Sequence, residues 1–219
     1  MKFSREMLTL YAVTDRSWTG TTTLYKQVEA ALQGGVTLVQ LREKTLTDEQ
    51  FISEALQIKE LCHRYGVPLI INDRLDVAVK AGADGVHVGI EDTPVQNIRK
   101  SMGAEFIIGA TAKTLSQARK AQEAGADYLG VGAVFPSPTK KNAIRITPEI
   151  LREICTSVTI PAVAIGGIDL NNIAELKGCG ISGVAAVSAI FGAEDIKSAS
   201  ELMYERARAV ISADRTLNK

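Results

Sequence analysis

Hydrophobic residues in this chain come in short continuous runs separated by amphipathic stretches. Runs of small or branched apolar residues recur at Thr9–Val13, Thr37–Leu41, Pro68–Ile71, Gly85–Val88, Phe106–Gly109, Tyr128–Val131, Ala162–Ile165 and Gly183–Val187. Between them, stretches such as Thr22–Gln33, Asp48–Tyr65, Leu115–Ala124 and Asp195–Ile211 repeat their apolar positions at helical spacing. A strand that is apolar at every position is covered on both faces, and such strands alternating with helices predict parallel β/α units. About eight units predict an α/β fold, a single (β/α)8 TIM barrel. The competing open doubly wound sheet usually shows a Gly-x-Gly-x-x-Gly turn after its first strand. Here the first strand runs into VTDRSWTG instead.

A phrase recurs in AGADGVHVG (81–89), AGADYLGVG (124–132) and, more loosely, CGISGVAAVS (179–188). In each, a helix is expected to stop at glycine, where a left-handed C-cap is cheap, with a strand two or three residues later. No linker or low-complexity segment interrupts the pattern, so one domain is expected over 1–219, with roughly 212–219 a frayed tail.

Composition narrows the setting. Apolar residues make up 46% and charged residues 23%, an ordinary globular balance, and the formal net charge is zero. Broad binding to nucleic acid or to an anionic membrane is therefore not expected, and any anion site must be local. The apolar run Met7–Val13 is too short and polar for a secretory or membrane segment. Cys62, Cys155 and Cys179 are widely separated, which argues against a disulfide frame or zinc site and fits a reducing cytoplasm. A homo-oligomer is left open.

In such barrels the working groups sit where strands end. After the second strand come Gln40, Leu41, Arg42, Glu43 and Lys44; alternation puts Gln40 and Arg42 on one face and Leu41 on the other. Arg42 and Lys44 could hold a diphosphate and Gln40 a heterocycle, or Arg42 and Glu43 could simply pair with neighbours. Asn72-Asp73 and Asp92 follow the third and fourth strands. Two carboxylates there could converge on one Mg²⁺, or each could cap the next helix. After the fifth strand Thr111 could donate to a ligand, and Thr114 could cap a helix. After the sixth, Phe135–Lys141 sets two prolines, two hydroxyls and two lysines on a stiff loop, which suits a phosphate or a solvated turn. Gly166-Gly167, followed by a helix N-terminus, and Ser188 occupy the usual phosphate position after strands seven and eight. His63 is expected on a helix surface and His87 inside the barrel. No Ser-His-Asp or HExxH arrangement is visible.

With these residues in place, the chain resembles the thiamine-phosphate synthase family from Leu10 to about Ile190. The resemblance rests on YAVTD (11–15), VQLREK (39–44), INDRLDVA (71–78), GADGVHVGIED (82–92), YLGVGAVFPSPTKK (128–141), VAIGGI (163–168) and GVAAVSAI (183–190). It implies transfer of an aminopyrimidine methyl group from its diphosphate to a thiazole phosphate nitrogen, giving thiamine phosphate and pyrophosphate. The resemblance further implies that Gln40, Leu41, Arg42, Glu43, Lys44, Asn72, Thr111 and Lys140 hold the pyrimidine diphosphate. Asp73 and Asp92 would hold one Mg²⁺. Ser137, Pro138, Thr139, Gly167, Val187 and Ser188 would hold the thiazole phosphate. Arg42, Lys44, Thr111 and Lys140 are the catalytic candidates, because binding the departing pyrophosphate is the main chemical task and needs no protein nucleophile. The sequence departs from the common family pattern at Thr111-Ala112-Lys113-Thr114, where Ser or Cys followed by Ala-His-Thr is usual, and at Asn142, where Asp is usual. The rival readings are a thiazole tautomerase, a sugar-phosphate isomerase or synthase, and a non-enzymatic regulator that binds thiamine precursors.

Overall fold

The computed structural model describes residues 2–137 and 144–217, with side chains described to Asp214 in the last helix. Eight parallel strands close into a barrel in chain order. They are β1 (Leu10–Val13), β2 (Leu38–Leu41), β3 (Leu69–Asn72), β4 (Gly85–Val88), β5 (Ile107–Ala112), β6 (Tyr128–Gly132), β7 (Ala162–Ile165) and β8 (Gly183–Ala186). The helices are α1 (Leu24–Gln33), α2 (Asp48–Arg64), α3 (Leu75–Ala81), α4 (Val95–Met102), α5 (Leu115–Glu123), α6 (Pro148–Ser157), α7 (Ser188–Phe191) and α8 (Ile196–Leu217). Each apolar run of the sequence is a strand. The largest difference is β5, which continues past Gly109 because Thr111 and Ala112 stay paired with Gly130 and Val131. Thr111 therefore sits on a strand rather than in a loop.

Alternation along each strand produces two cores. Leu10, Val39, Leu41, Leu69, Ile71, Val86 and Val131 face outward under the helices. Tyr11, Val13, Leu38, Ile70, Ile107, Tyr128, Val163 and Ala185 fill the interior. The N-terminal end of the barrel is plugged by Leu8, from a 3-10 turn at Arg5–Leu8, and by Phe3, whose ring stacks on Tyr128 at 5.8 Å. Gly183 leaves room for this plug, since a Cβ there would lie 1.6 Å from the Leu8 carbonyl oxygen.

Local chemistry explains most helix ends. Thr47 and Gln50 form a reciprocal capping box at α2, and Thr23, Thr114 and Thr147 cap α1, α5 and α6. The recurring phrase behaves as its glycines predict, with Gly82 at φ +60°, Gly125 at +94° and Gly180 at +76°. Its aspartates have a further use. Asp84 accepts from the Leu69 N–H at 2.8 Å and Asp127 from the Ile108 N–H at 2.7 Å, tying each helix exit to the start of a strand.

One expectation about helices is corrected. After Gly167 the chain forms only a 3-10 turn, Ile173–Leu176, and α8 packs against that flank. Asp169 and Asn172 bond each other's backbone there, holding a turn in place of a long helix. At the C-terminus α8 runs to Leu217. Asp214, only 5% exposed, accepts from the N–H groups of Gly178 and Gly180 and pins the helix to the turn. Asp214→Ala should leave both donors unpaired and lower the unfolding free energy by about 1–3 kcal/mol. Urea denaturation checks this; an unchanged midpoint would show that the two N–H groups find other partners.

Candidate active site

The C-terminal rim gathers charge from β2, β3 and β4. Lys44 Nζ donates to Asp73 Oδ2 at 2.7 Å, and the Asn72 amide donates to the other carboxylate oxygen. Asp73 does not cap α3, whose N-cap is Arg74 with no side-chain capping bond. Its φ of +61° is unusual for a residue with a side chain and turns the loop sharply after β3. Asp92 does not cap α4 either; its Oδ2 accepts from the Gly89 N–H at 2.6 Å, closing the loop after β4. The Asp92 carboxyl is pushed up first by desolvation; the Gly89 N–H opposes this, while Asp73, within hydrogen-bonding reach, raises it further. The helix-cap alternative therefore fails for both aspartates.

Beside them, Gln40 lies on β2 and Arg42 directly follows the strand's last residue. Arg42 bonds Asp15 at 3.2 Å, and its N–H donates to the Thr14 hydroxyl at 2.9 Å. Thr14 and Asp15 thus position Arg42, a role that YAVTD at the end of β1 did not disclose. Two members of the expected clamp point elsewhere. Leu41 is fully buried in the outer core. The Glu43 side chain is held by Arg16, with contacts of 2.8 and 3.1 Å, and Arg16 also binds Glu54. Burial leaves the Glu43 carboxyl raised despite that guanidinium. Both face away because alternation and the Arg16 ion pair, respectively, take them from the rim. Lys113 uses its N–H on Gln117, and Thr114 caps α5.

The opposite side of the rim is built from β6, β7 and β8. Val134 N–H donates to Ile165 and Phe135 N–H to Gly166, extending the β6–β7 ladder into the loop. Ile146 N–H returns to Ala133 at 2.9 Å and closes the base of the excursion. Gly167, at φ +64°, lies so close that a Cβ would be 2.1 Å from the Pro136 carbonyl oxygen. Ser137 follows directly, and Val187 and Ser188 leave the neighbouring strand β8 into α7. Pro138, Thr139, Lys140, Lys141 and Asn142 lie outside the described residues.

Polar groups cross the barrel beneath the rim. Gln40 Nε2 donates to Tyr11 Oη at 2.6 Å, and Tyr11 Oη lies 2.7 Å from Tyr128 Oη. His87 Nδ1 is 3.2 Å from Tyr128 Oη, and its Nε2 is 3.1 Å from Thr111 Oγ1. Burial holds the His87 ring neutral, lowering its pKa to about 4, and raises both tyrosines. His63 is on the α2 surface as expected, 2.8 Å from Asp84. The three thiols are free, and burial raises them, Cys62 and Cys155 to about 12. A groove of about 540 Å³ lined by Arg16, Thr23 and Glu54 lies between α1 and α2, to one side of the strand ends.

A barrel with a cationic and carboxylate cluster on one side of its mouth, and a glycine-lined turn on the other, is the frame of an enzyme for small anionic substrates. Comparison with known proteins narrows this. The family model for thiamine monophosphate synthase matches residues 10–190, so the chain belongs to that family. It is 49% identical over 197 residues to the thiamine-phosphate synthase of Ruminiclostridium cellulolyticum, covering 90% of this chain and 94% of that protein. It is 46% identical over 209 residues to thiamine-phosphate synthase 2 of Streptococcus pneumoniae, covering 95% and 100% of the two chains. The solved thiamine phosphate pyrophosphorylase of Pyrococcus furiosus superposes with a TM-score of 0.87 at 38% identity, covering 94% of this chain and 98% of that one. A 3-hexulose-6-phosphate synthase, at TM-score 0.66 and 17% identity, shares the fold. Among the described residues no helix is long and apolar enough to cross a membrane.

Proposed function

We propose that this protein is a thiamine-phosphate synthase, a transferase moving an aminopyrimidine methyl group from its diphosphate to a thiazole phosphate nitrogen. The observation that carries this reading is the Lys44–Asp73 ion pair at the ends of β2 and β3, with Asp92 in the loop after the adjacent β4, in a chain of this family. Sugar-phosphate isomerisation and thiazole tautomerisation give no use for a paired-carboxylate, diphosphate-binding rim.

Two carboxylates free of capping duties at the ends of adjacent strands are a donor set that fits a single Mg²⁺. Among the described residues no group of three or more His, Cys, Asp or Glu could hold a metal, so phosphate oxygens and water would complete the shell. Such an ion would neutralise charge on the departing diphosphate. Arg42, Lys44 and Lys140 bind the same diphosphate, Asn72 and Thr111 donate to it, and Gln40 orients the heterocycle. Leu41 and Glu43 contribute through their backbone. Cleavage of the carbon–oxygen bond sends its electron pair to pyrophosphate, and the thiazole nitrogen lone pair closes the new bond. The amino group stabilises the intervening pyrimidine cation, so binding and alignment are the protein's main work. On the other side of the mouth Ser137, Gly167, Val187 and Ser188 hold the thiazole phosphate, and the resemblance adds Pro138 and Thr139 to that set. Three unpaired thiols agree with a cytoplasmic setting.

The test is an assay with both half-substrates, with and without Mg²⁺, scored for thiamine phosphate and pyrophosphate. Mg²⁺-dependent formation of both is expected; thiazole phosphate binding without product would favour the tautomerase or the regulator. Ser188→Ala should chiefly raise the thiazole phosphate KM, by roughly two- to tenfold for one lost hydrogen bond. A fall in kcat alone, with KM unchanged, would contradict that role.

A further inference from the structure

The buried polar groups beneath the rim form one continuous column between two proposed substrate contacts, Gln40 on β2 and Thr111 on β5. Its middle members, Tyr11, Tyr128 and His87, have no assigned task. The barrel makes room for them. A Cβ at Gly109 would lie 2.2 Å from Tyr128 Cζ and 2.4 Å from His87 Nδ1, and one at Gly130 would lie 2.9 Å from His87 Cε1. Two strand-interior glycines are an expense in a sheet, tolerated where something must approach closely.

The column has a direction. Gln40 Nε2 donates to Tyr11 Oη; the Tyr11–Tyr128 bond can run either way, and the arrangement that continues the direction set at Gln40 has Tyr11 donating to Tyr128 Oη. In that arrangement the Tyr128 hydrogen goes to His87 Nδ1, 3.2 Å away. With Nδ1 accepting from Tyr128, the ring's proton sits on Nε2, which donates to Thr111 Oγ1. With its lone pair occupied from below, the Thr111 hydroxyl directs its own hydrogen upward, as a phosphate oxygen requires. At the other end Gln40 keeps Oε1 and one N–H for the ligand, a pairing that matches an aminopyrimidine's amine and ring nitrogen.

We infer that Tyr11, Tyr128 and His87 are positioning residues that fix the hydrogen-bond polarity of Gln40 and Thr111, presenting an acceptor to the heterocycle and a donor to its diphosphate. This rests on the proposed function for the identity of the ligand, but the polarity of the column can be read without it. A buried hydrogen-bonded chain polarises along its length and admits few arrangements, which is what a preorganised site needs.

The chain has two histidines. In a ¹⁵N-labelled His63→Gln variant the remaining imidazole signals belong to His87. A pyrrole-type, proton-bearing Nε2 and an unprotonated Nδ1 are expected; a proton on Nδ1 would reverse the column and overturn the inference. The kinetic counterpart is Tyr128→Phe, which cuts the column at its centre. The KM for the aminopyrimidine diphosphate should rise roughly five- to tenfold, with the thiazole phosphate KM unchanged. An equal rise in both, or none in either, would also overturn it. If Tyr128→Phe fails to fold, the tautomer still decides. If the wild-type protein transfers nothing, the proposed function falls while the His87 tautomer stays informative.

Discussion

Asp92→Asn should abolish most turnover while leaving the barrel as stable as before or slightly more so. The amide keeps an oxygen for the Gly89 N–H, so the loop after β4 retains its closing bond. What disappears is one of two negative charges available to a divalent cation. Loss of a group of this kind typically costs on the order of 10²–10³-fold in kcat. The stability side follows from linkage. The Asp92 carboxyl is raised in the folded chain, so its contribution to stability is present at low pH and lost as pH rises through the folded value. At neutral pH the charged form is a net cost, and asparagine removes it. Thermal melts supply a readout separate from activity, because a ligand bound to the folded state raises Tm. Added Mg²⁺ should raise the wild-type Tm and leave that of Asp92→Asn unmoved. Wild-type turnover together with a persisting Mg²⁺ shift would remove Asp92 from the metal site.

Gly167→Ala should damage the opposite side of the mouth by a different route. Gly167 occupies φ +64°, and an added methyl would meet the Pro136 backbone rather than a movable side chain. A non-glycine residue held in this region costs about 1–3 kcal/mol, and the clash pushes the start of the FPSP loop off β7. Expressed in binding of the thiazole phosphate, that is roughly a 5- to 150-fold loss. Affinity for the aminopyrimidine diphosphate, which the proposed function assigns to Gln40 and Lys44 across the barrel, should change far less. Isothermal titration with each half-substrate separates the two sites. Equal losses would show that the loop after β6 serves both.

Both predictions concern residues whose importance the sequence disclosed unevenly. The paired glycines stood out because they follow an apolar run, yet why the second must be glycine depends on Pro136, thirty-one positions earlier. Asp73 and Asp92 were visible as strand-end carboxylates, but capping and convergence gave the same spacing. The left-handed turn at Asp73 and the Gly89 bond at Asp92 decide between them. Glu43 looked like part of a charged clamp in QLREK; Arg16 and Glu54, from other parts of the chain, draw it away.

By itself the sequence determined the eight strands, the glycine stops that end helices, and the strand ends at which polar groups collect. These are local properties: burial on both faces demands an unbroken apolar run, and a left-handed cap demands glycine. Only the tertiary structure decided which of those polar groups touch. Tyr11 and Tyr128 are 117 residues apart and share a hydrogen bond because the barrel closes and its register sets them face to face. The N-terminal plug, the 3-10 turn after β7 and the Asp214 anchor were settled in the same way. Alternation tells a residue which side of the sheet it faces; what it meets there depends on closure, which no local pattern encodes.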